Sequence, residues 1–160
     1  MKDGASCKLD EMRIDHGGLL VSDVARALRF YTEALGLEEV PRPPTFDAPG
    51  AWLQVGEHHQ LHLIGEGEAG RAQTMHPAYA PEEIAIGYGN HIALVVDDLD
   101  ATIERARAHG VEPGGETIAR GDGVKRTFVT DPDHNIIELM QTGFEVTGAE
   151  PRLAAPRRND

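Results

Sequence analysis

Cysteine is all but missing. Cys7 is the single one in 160 residues, so no intrachain disulfide can form, and the disulfide framework of a small secreted domain is excluded. Aromatic residues make up only 5% of the chain, too few for the stacking platforms of a single-strand nucleic-acid binder. Basic residues are in the minority, 15 against 27 acidic, for a formal net charge of -12. Binding a phosphate backbone wants a basic face, so nucleic acid is not an expected partner. Long apolar runs and a signal-peptide pattern are also absent, which predicts a soluble cytoplasmic protein with no membrane partner. Cys7 falls in a polar leader, residues 1–10, and reads as part of a frayed terminus rather than as a nucleophile.

What is present is an internal repeat. Arg13–Val21 is an apolar stretch that holds His16 and ends in Ser22-Asp23; Asn90–Val96 is another that holds His91 and ends in Asp97-Asp98. Each histidine precedes its aspartate (Asp23, Asp98) by seven residues. A short acceptor side chain there predicts a helix N-cap. Val24, Ala27, Leu28, Tyr31 and Leu35 then recur at helical spacing up to Gly36, as Leu99, Ala101, Ile103 and Ala106 do up to Gly110.

Strand-like runs follow in both halves, near Glu38–Val40, Ala51–Val55 and Gln60–Ile64, and near Glu116–Ala119, Arg126–Thr130 and Ile136–Met140. Turn residues such as Asp47-Ala48-Pro49-Gly50 and Asp131-Pro132-Asp133 separate them. The pattern predicts an α+β fold of two tandem βαβββ modules, 11–64 and 89–142. Residues 65–88 are too long for a simple turn and read as a linker, a lid or a dimer-contact loop. Residues 143–160 read as a C-terminal tail.

The last strands align as Leu61-His62-Leu63-Ile64 against Ile137-Glu138-Leu139-Met140, with 46 residues from His16 to His62 and 47 from His91 to Glu138. Four ligand-type residues thus occupy two equivalent pairs of positions. Strand side chains alternate between faces, so His62 and Glu138 point away from their flanking apolar neighbours. Pseudo-twofold packing of the halves is expected to bring His16, His62, His91 and Glu138 together around a divalent ion. Imidazole and carboxylate ligands suit Zn, Ni, Fe or Mn. His58, His59, His76, His109 and His134 sit in turns, the linker or a helix end, where solvated roles are expected, with His76 a candidate lid residue. Trp52, Gln54, Arg126 and Phe128 are candidates for the substrate pocket. Trp52 is read first as core, and Arg126 or Lys125 as a solvated strand cation able to pair with an anion.

These residues resemble the vicinal oxygen chelate superfamily, which includes glyoxalase I, extradiol dioxygenases, methylmalonyl-CoA epimerase and fosfomycin or bleomycin resistance proteins. His16-Gly17-Gly18-Leu19-Leu20-Val21, Arg29-Phe30-Tyr31 and Leu35-Gly36-Leu37 resemble the first glyoxalase I signature, with Gly17 a departure where a β-branched residue is usual. Tyr88-Gly89-Asn90-His91-Ile92-Ala93-Leu94, and Phe128-Val129-Thr130-Asp131-Pro132-Asp133 before Ile137-Glu138-Leu139, resemble the second-module motifs. The resemblance covers residues 12–142 and implies a cupped mixed β-sheet, a small-molecule substrate and a homodimer.

Carried over residue by residue, it also implies metal ligands at His16, His62, His91 and Glu138. His62 departs from glyoxalase I, which carries glutamate or glutamine there. The implied activity is a metal-dependent, glyoxalase-like isomerase or lyase acting through an enediolate, with Glu138 as the proton carrier. Three alternatives stay open: extradiol dioxygenation, thiol transfer to fosfomycin, and non-catalytic binding of the bleomycin-resistance kind. Against dioxygenation, Ala119–Arg126 holds no histidine and Phe128 stands where those enzymes have a tyrosine; against thiol transfer, Gly121-Asp122-Gly123 replaces a serine-rich loop.

Overall fold

Two aspartate caps open two equivalent helices. Asp23 and Asp98, both in extended backbone, accept from the amides of Arg26 and Ala101 at 2.9 Å each, and start α1 (Val24–Arg29) and α4 (Leu99–Ala108). Gly36 and Gly110 end the two helical stretches at φ 80° and 77°, a left-handed conformation that a Cβ disfavours. One detail differs from the expected single helix. After Arg29 the chain widens into a π-helical segment, Phe30–Ala34, closed by the Leu35 amide on the Phe30 carbonyl at 3.2 Å. Such a widening inserts a residue into the turn and rotates the side chains that follow; Phe30, Tyr31 and Ala34 all face the core.

The computed structural model describes residues 14–75, 81–85 and 89–150. The leader with Cys7, the lid candidate His76, Tyr88 and the tail from residue 151 lie outside the described residues. The strands are β1 (His16–Val21), β2 (Glu38–Val40), β3 (Gly50–Val55), β4 (His59–Gly65), β5 (His91–Val95), β6 (Ile118–Ala119), β7 (Val124–Thr130) and β8 (Ile136–Thr142). They form two four-stranded mixed sheets with matching order, β1-β4-β3-β2 and β5-β8-β7-β6. The first strand of each module runs parallel to its last, and the other neighbours are antiparallel. This is the predicted α+β arrangement of two βαβββ modules. β6 is shorter than its sequence pattern, and the linker carries two short helices, α2 (Arg71–Met75) and α3 (Pro81–Ala85). None of the described helices is long and apolar enough to cross a membrane.

Alternation decides the two faces of each sheet. Leu61 and Leu63 of β4, and Ile137 and Leu139 of β8, enter one cluster with Val21, Tyr31, Leu53, Leu94, Leu99 and Ile103. Both modules thus share a core, and the opposite faces, here called the cup faces, carry the polar residues.

Asp131-Pro132-Asp133, expected only as a turn, also joins the modules. Buried Tyr31 donates its hydroxyl to Asp131 Oδ2 at 2.9 Å. Asp131 further accepts the amides of Asp133 and Asn135 and the Asn135 side chain, at 2.8–2.9 Å. Arg26 Nη2 lies 3.1 Å from Asp133 Oδ1, which also accepts the Ser22 hydroxyl. Burial first, and then the Asp131 carboxylate, push the Tyr31 hydroxyl well above its ordinary pKa.

Candidate functional site

The second module builds the tighter half of the site. In register, Glu138 of β8 lies between Ala93 of β5 and Phe128 of β7, so its carboxylate shares a cup face with His91 and Phe128. His91 Nε2 is 3.4 Å from Glu138 Oε2. Its Nδ1 is 3.0 Å from the carbonyl of Gly89. Donation to that carbonyl places the proton on Nδ1 and leaves a bare lone pair on Nε2, the tautomer a metal ligand needs. Buried Phe128 stands edge-on to the His91 ring, with centres 5.6 Å apart. Two donor atoms each about 2.1 Å from one ion, at a tetrahedral angle, lie about 3.4 Å apart. His91 and Glu138 fit a divalent ion on that test.

Arg126 belongs to the same face. It is 3% exposed, stacked over Phe128 with its guanidinium carbon 4.7 Å from the ring centre, and its Nε lies 3.4 Å from Glu138 Oε1. The expected solvated cation is instead a buried one. Burial pulls its pKa down, while the Glu138 charge opposes that shift. Arg120 Nη1 approaches the same Glu138 oxygen at 3.8 Å, but its guanidinium is already held by Asp122 at 2.8 Å.

The first module is arranged differently. His62 of β4 lies between Gly18 of β1 and Trp52 of β3. Its ring is sandwiched: His16 stacks on one face at 4.0 Å and 16°, and Trp52 on the other at 4.1 Å and 4°. Phe46 continues the ladder edge-on to Trp52 at 5.4 Å. His62 Nε2 is 3.0 Å from Gln60 Oε1. Burial first, then the neighbouring His16 and Arg42, lower its pKa, with Asp15 opposing. His16 has Nδ1 on the Asp15 carboxylate at 3.0 Å, which frees its Nε2 for a ligand as at His91.

Imidazole lone pairs lie in the ring plane. Two rings stacked nearly parallel therefore do not aim at one ion, and His62 fits a metal only after leaving the sandwich. Asp15, His16, Arg42, Phe46, Trp52 and His62 instead line a cleft of about 460 Å³.

The four candidates do not converge in one chain. They fall into two pairs, His16 with His62 and His91 with Glu138, and no cluster of three or more His, Cys, Asp or Glu among the described residues could hold a metal. The reason is the packing: the modules meet through their helices, the Asp131–Asn135 turn and the flank of β1 against β5, where Gly17 faces Ile92, and no ladder joins the two sheets among the described residues. β1 and β5 remain edge strands. Apolar side chains on the cup faces, Ile64 and Val95, are 48% and 62% exposed.

Of the pocket candidates, Trp52, Arg126 and Phe128 lie on the cup faces, while Gln54, on the same face as Trp52, bonds the carbonyls of Gly56 and His59 and serves the β3–β4 turn. Sequence reasoning passed over Asp15, Gln60 and Phe46. Gln60 could have been found by alternation, two residues before His62 on the same face; a loop residue such as Phe46 carries no periodic signal.

Comparison with known proteins agrees with this architecture. Residues 13–139 match the model of the Glyoxalase/Bleomycin resistance protein/Dioxygenase superfamily. A lactoylglutathione lyase of Haemophilus influenzae is 32% identical over 140 residues, 86% of this chain and 98% of that protein. A solved glyoxalase family protein of Bacillus anthracis is 28% identical, with TM-score 0.62 over 82% of this chain and 96% of that one. An antibiotic-binding protein of Streptomyces, 24% identical with TM-score 0.62 over 84% of this chain and 99% of that one, shares the fold. With paired modules, matching strand order and a family match along most of its length, the chain belongs to the glyoxalase/bleomycin resistance protein/dioxygenase superfamily.

Proposed function

We propose that the protein is a metal-dependent, glyoxalase-like enzyme, an isomerase or lyase acting on a small oxygen-chelating substrate. The observation that carries this reading is the His91–Glu138 pair, spaced for a divalent ion, with His91 held in the ligating tautomer. His16, with Asp15 behind it, is the third ligand, contributed by a second copy of the chain. The exposed Ile64 and Val95 support that pairing, because exposed apolar side chains invite a partner. Bound there, a divalent ion would polarise a substrate carbonyl. Glu138 would take the proton from the adjacent carbon and return it to its neighbour. Trp52 and His62 would wall the substrate on the opposite side.

Elemental analysis of the purified protein tests this. One divalent ion per chain is expected in the wild type and in His62→Ala, with loss in His91→Ala and Glu138→Ala. A wild type that takes up no divalent metal under any condition refutes the enzyme. The loaded protein, tried on hemithioacetals, catechols and 2-oxo acids, should turn over without consuming oxygen.

A second reading has its own observation. The sandwich of His62 between His16 and Trp52 forms a flat-walled cleft without any metal, which suits non-catalytic binding of a planar compound. Wild-type protein that stays metal-free yet quenches Trp52 on adding such a compound would favour it.

A further inference from the structure

We propose that Arg126 binds an anionic group of the substrate, so that the substrate is a small acid whose oxyanion lies within a few bonds of its reacting oxygens. The proposal deepens the enzyme reading and rests on His91 and Glu138 being the metal-holding pair.

A guanidinium at 3% exposure carries a large desolvation cost unless its N–H groups are used. Here they are not. Arg126 Nε faces Glu138 Oε1 at 3.4 Å without hydrogen-bond geometry, and neither Nε nor Nη1 finds an acceptor among the described residues. Buried donors in folded proteins are nearly always satisfied, so two orphans on one side chain call for an external acceptor.

Direction points the same way. Arg126 and Glu138 share the cup face, since Arg126 pairs with Met140 and Phe128 with Glu138 across β7 and β8. Arg126 stands at one carboxylate oxygen and His91 at the other, each at 3.4 Å. Charge adds a further reason. Arg120 is neutralised by Asp122, whereas Arg126 has only Glu138 opposite it. Once Glu138 serves a divalent ion, its single negative charge faces both that ion and Arg126, and an acidic substrate restores the balance. A substrate whose only anionic groups sat at the far end of a long carrier would leave Arg126 orphaned beside the reacting atoms.

The test is calorimetric titration of metal-loaded wild type, Arg126→Met and Arg126→Lys. Oxalate is the chelating probe that keeps free carboxylate oxygens, and acetohydroxamic acid, which chelates as a monoanion with no spare oxyanion, is the control, with metal content and melting temperature measured on each protein. Arg126→Met should weaken oxalate at least about tenfold, as expected for losing charge-assisted hydrogen bonds, and leave the hydroxamic acid within about twofold. Should Arg126→Met fail to fold, Arg126→Lys carries the test: it keeps the charge without the planar fork, and a selective loss of several-fold for oxalate is expected.

Equal losses for both probes, or no loss, overturn the proposal and leave Arg126 as the structural counter-ion of Glu138. Metal-free wild type would defeat the enzyme reading separately. Oxalate binding to the metal-free protein, and its dependence on Arg126, then still decides whether the anion site exists.

Discussion

Replacing Tyr31 by phenylalanine removes one oxygen and little volume from the core, and it tests how the modules are held together. The hydroxyl is buried and donates to Asp131 Oδ2 at 2.9 Å across 100 residues of chain. A hydrogen bond to a charged group is worth about 1.5–3 kcal/mol. Asp131 keeps three other donors, from Asp133 and Asn135, so the carboxylate is not orphaned and the lower figure applies, about 1.5 kcal/mol. For a chain of this size that corresponds to a melting temperature lower by about 3–6 °C. Asp131→Ala, by contrast, strands the Tyr31 hydroxyl, two buried amides and the Asn135 side chain, and should cost at least about 3 kcal/mol. Calorimetric melting of both variants, with metal content as a control, is the assay. Tyr31→Phe melting within about 1 °C of wild type, or as low as Asp131→Ala, would refute the reasoning.

Other consequences are as direct. His62 should titrate below the ordinary imidazole value of 6.5 because burial, and then His16, disfavour its cation. Its folded pKa is depressed, so the unfolded chain binds the proton first, and stability falls as pH drops below 6.5 towards the folded value. Two-dimensional NMR of the imidazole protons reads the midpoint, and a midpoint above 6.5 contradicts the sandwich. The two helix caps should behave alike: Asp23→Ala and Asp98→Ala should each cost about 1 kcal/mol in urea unfolding, with the double variant near the sum.

Much of the fold was legible because the repeat imposes itself locally. The caps at Asp23 and Asp98, the stops at Gly36 and Gly110, and the alternation around His62 and Glu138 all act over a few residues. What escaped depends on partners distant in sequence. Asp131 reads as a turn residue until Tyr31 is seen against it. Arg126 reads as a solvated cation because nothing in Lys125-Arg126-Thr127 reports what covers it. The matching offsets of the four candidate ligands were visible, but offsets say only that positions are equivalent. They do not say whether equivalent positions meet, and in one chain these remain two pairs. The stacking of His62 on Trp52 follows from cross-strand register, which a count of residues within one strand does not supply.

In the proposed dimer, His16 of one copy and the His91–Glu138 pair of another complete one metal site. Mixing chains tests it most directly. A His16→Ala chain and a Glu138→Ala chain should each purify as metal-free dimers. Co-expressed, they should regain about one quarter of the wild-type metal, since about half of randomly paired dimers are mixed and each mixed dimer has one intact site of two. A co-expressed mixture that stays metal-free, beside a dimeric wild type that is fully loaded, would place the ligands within one chain and contradict the account.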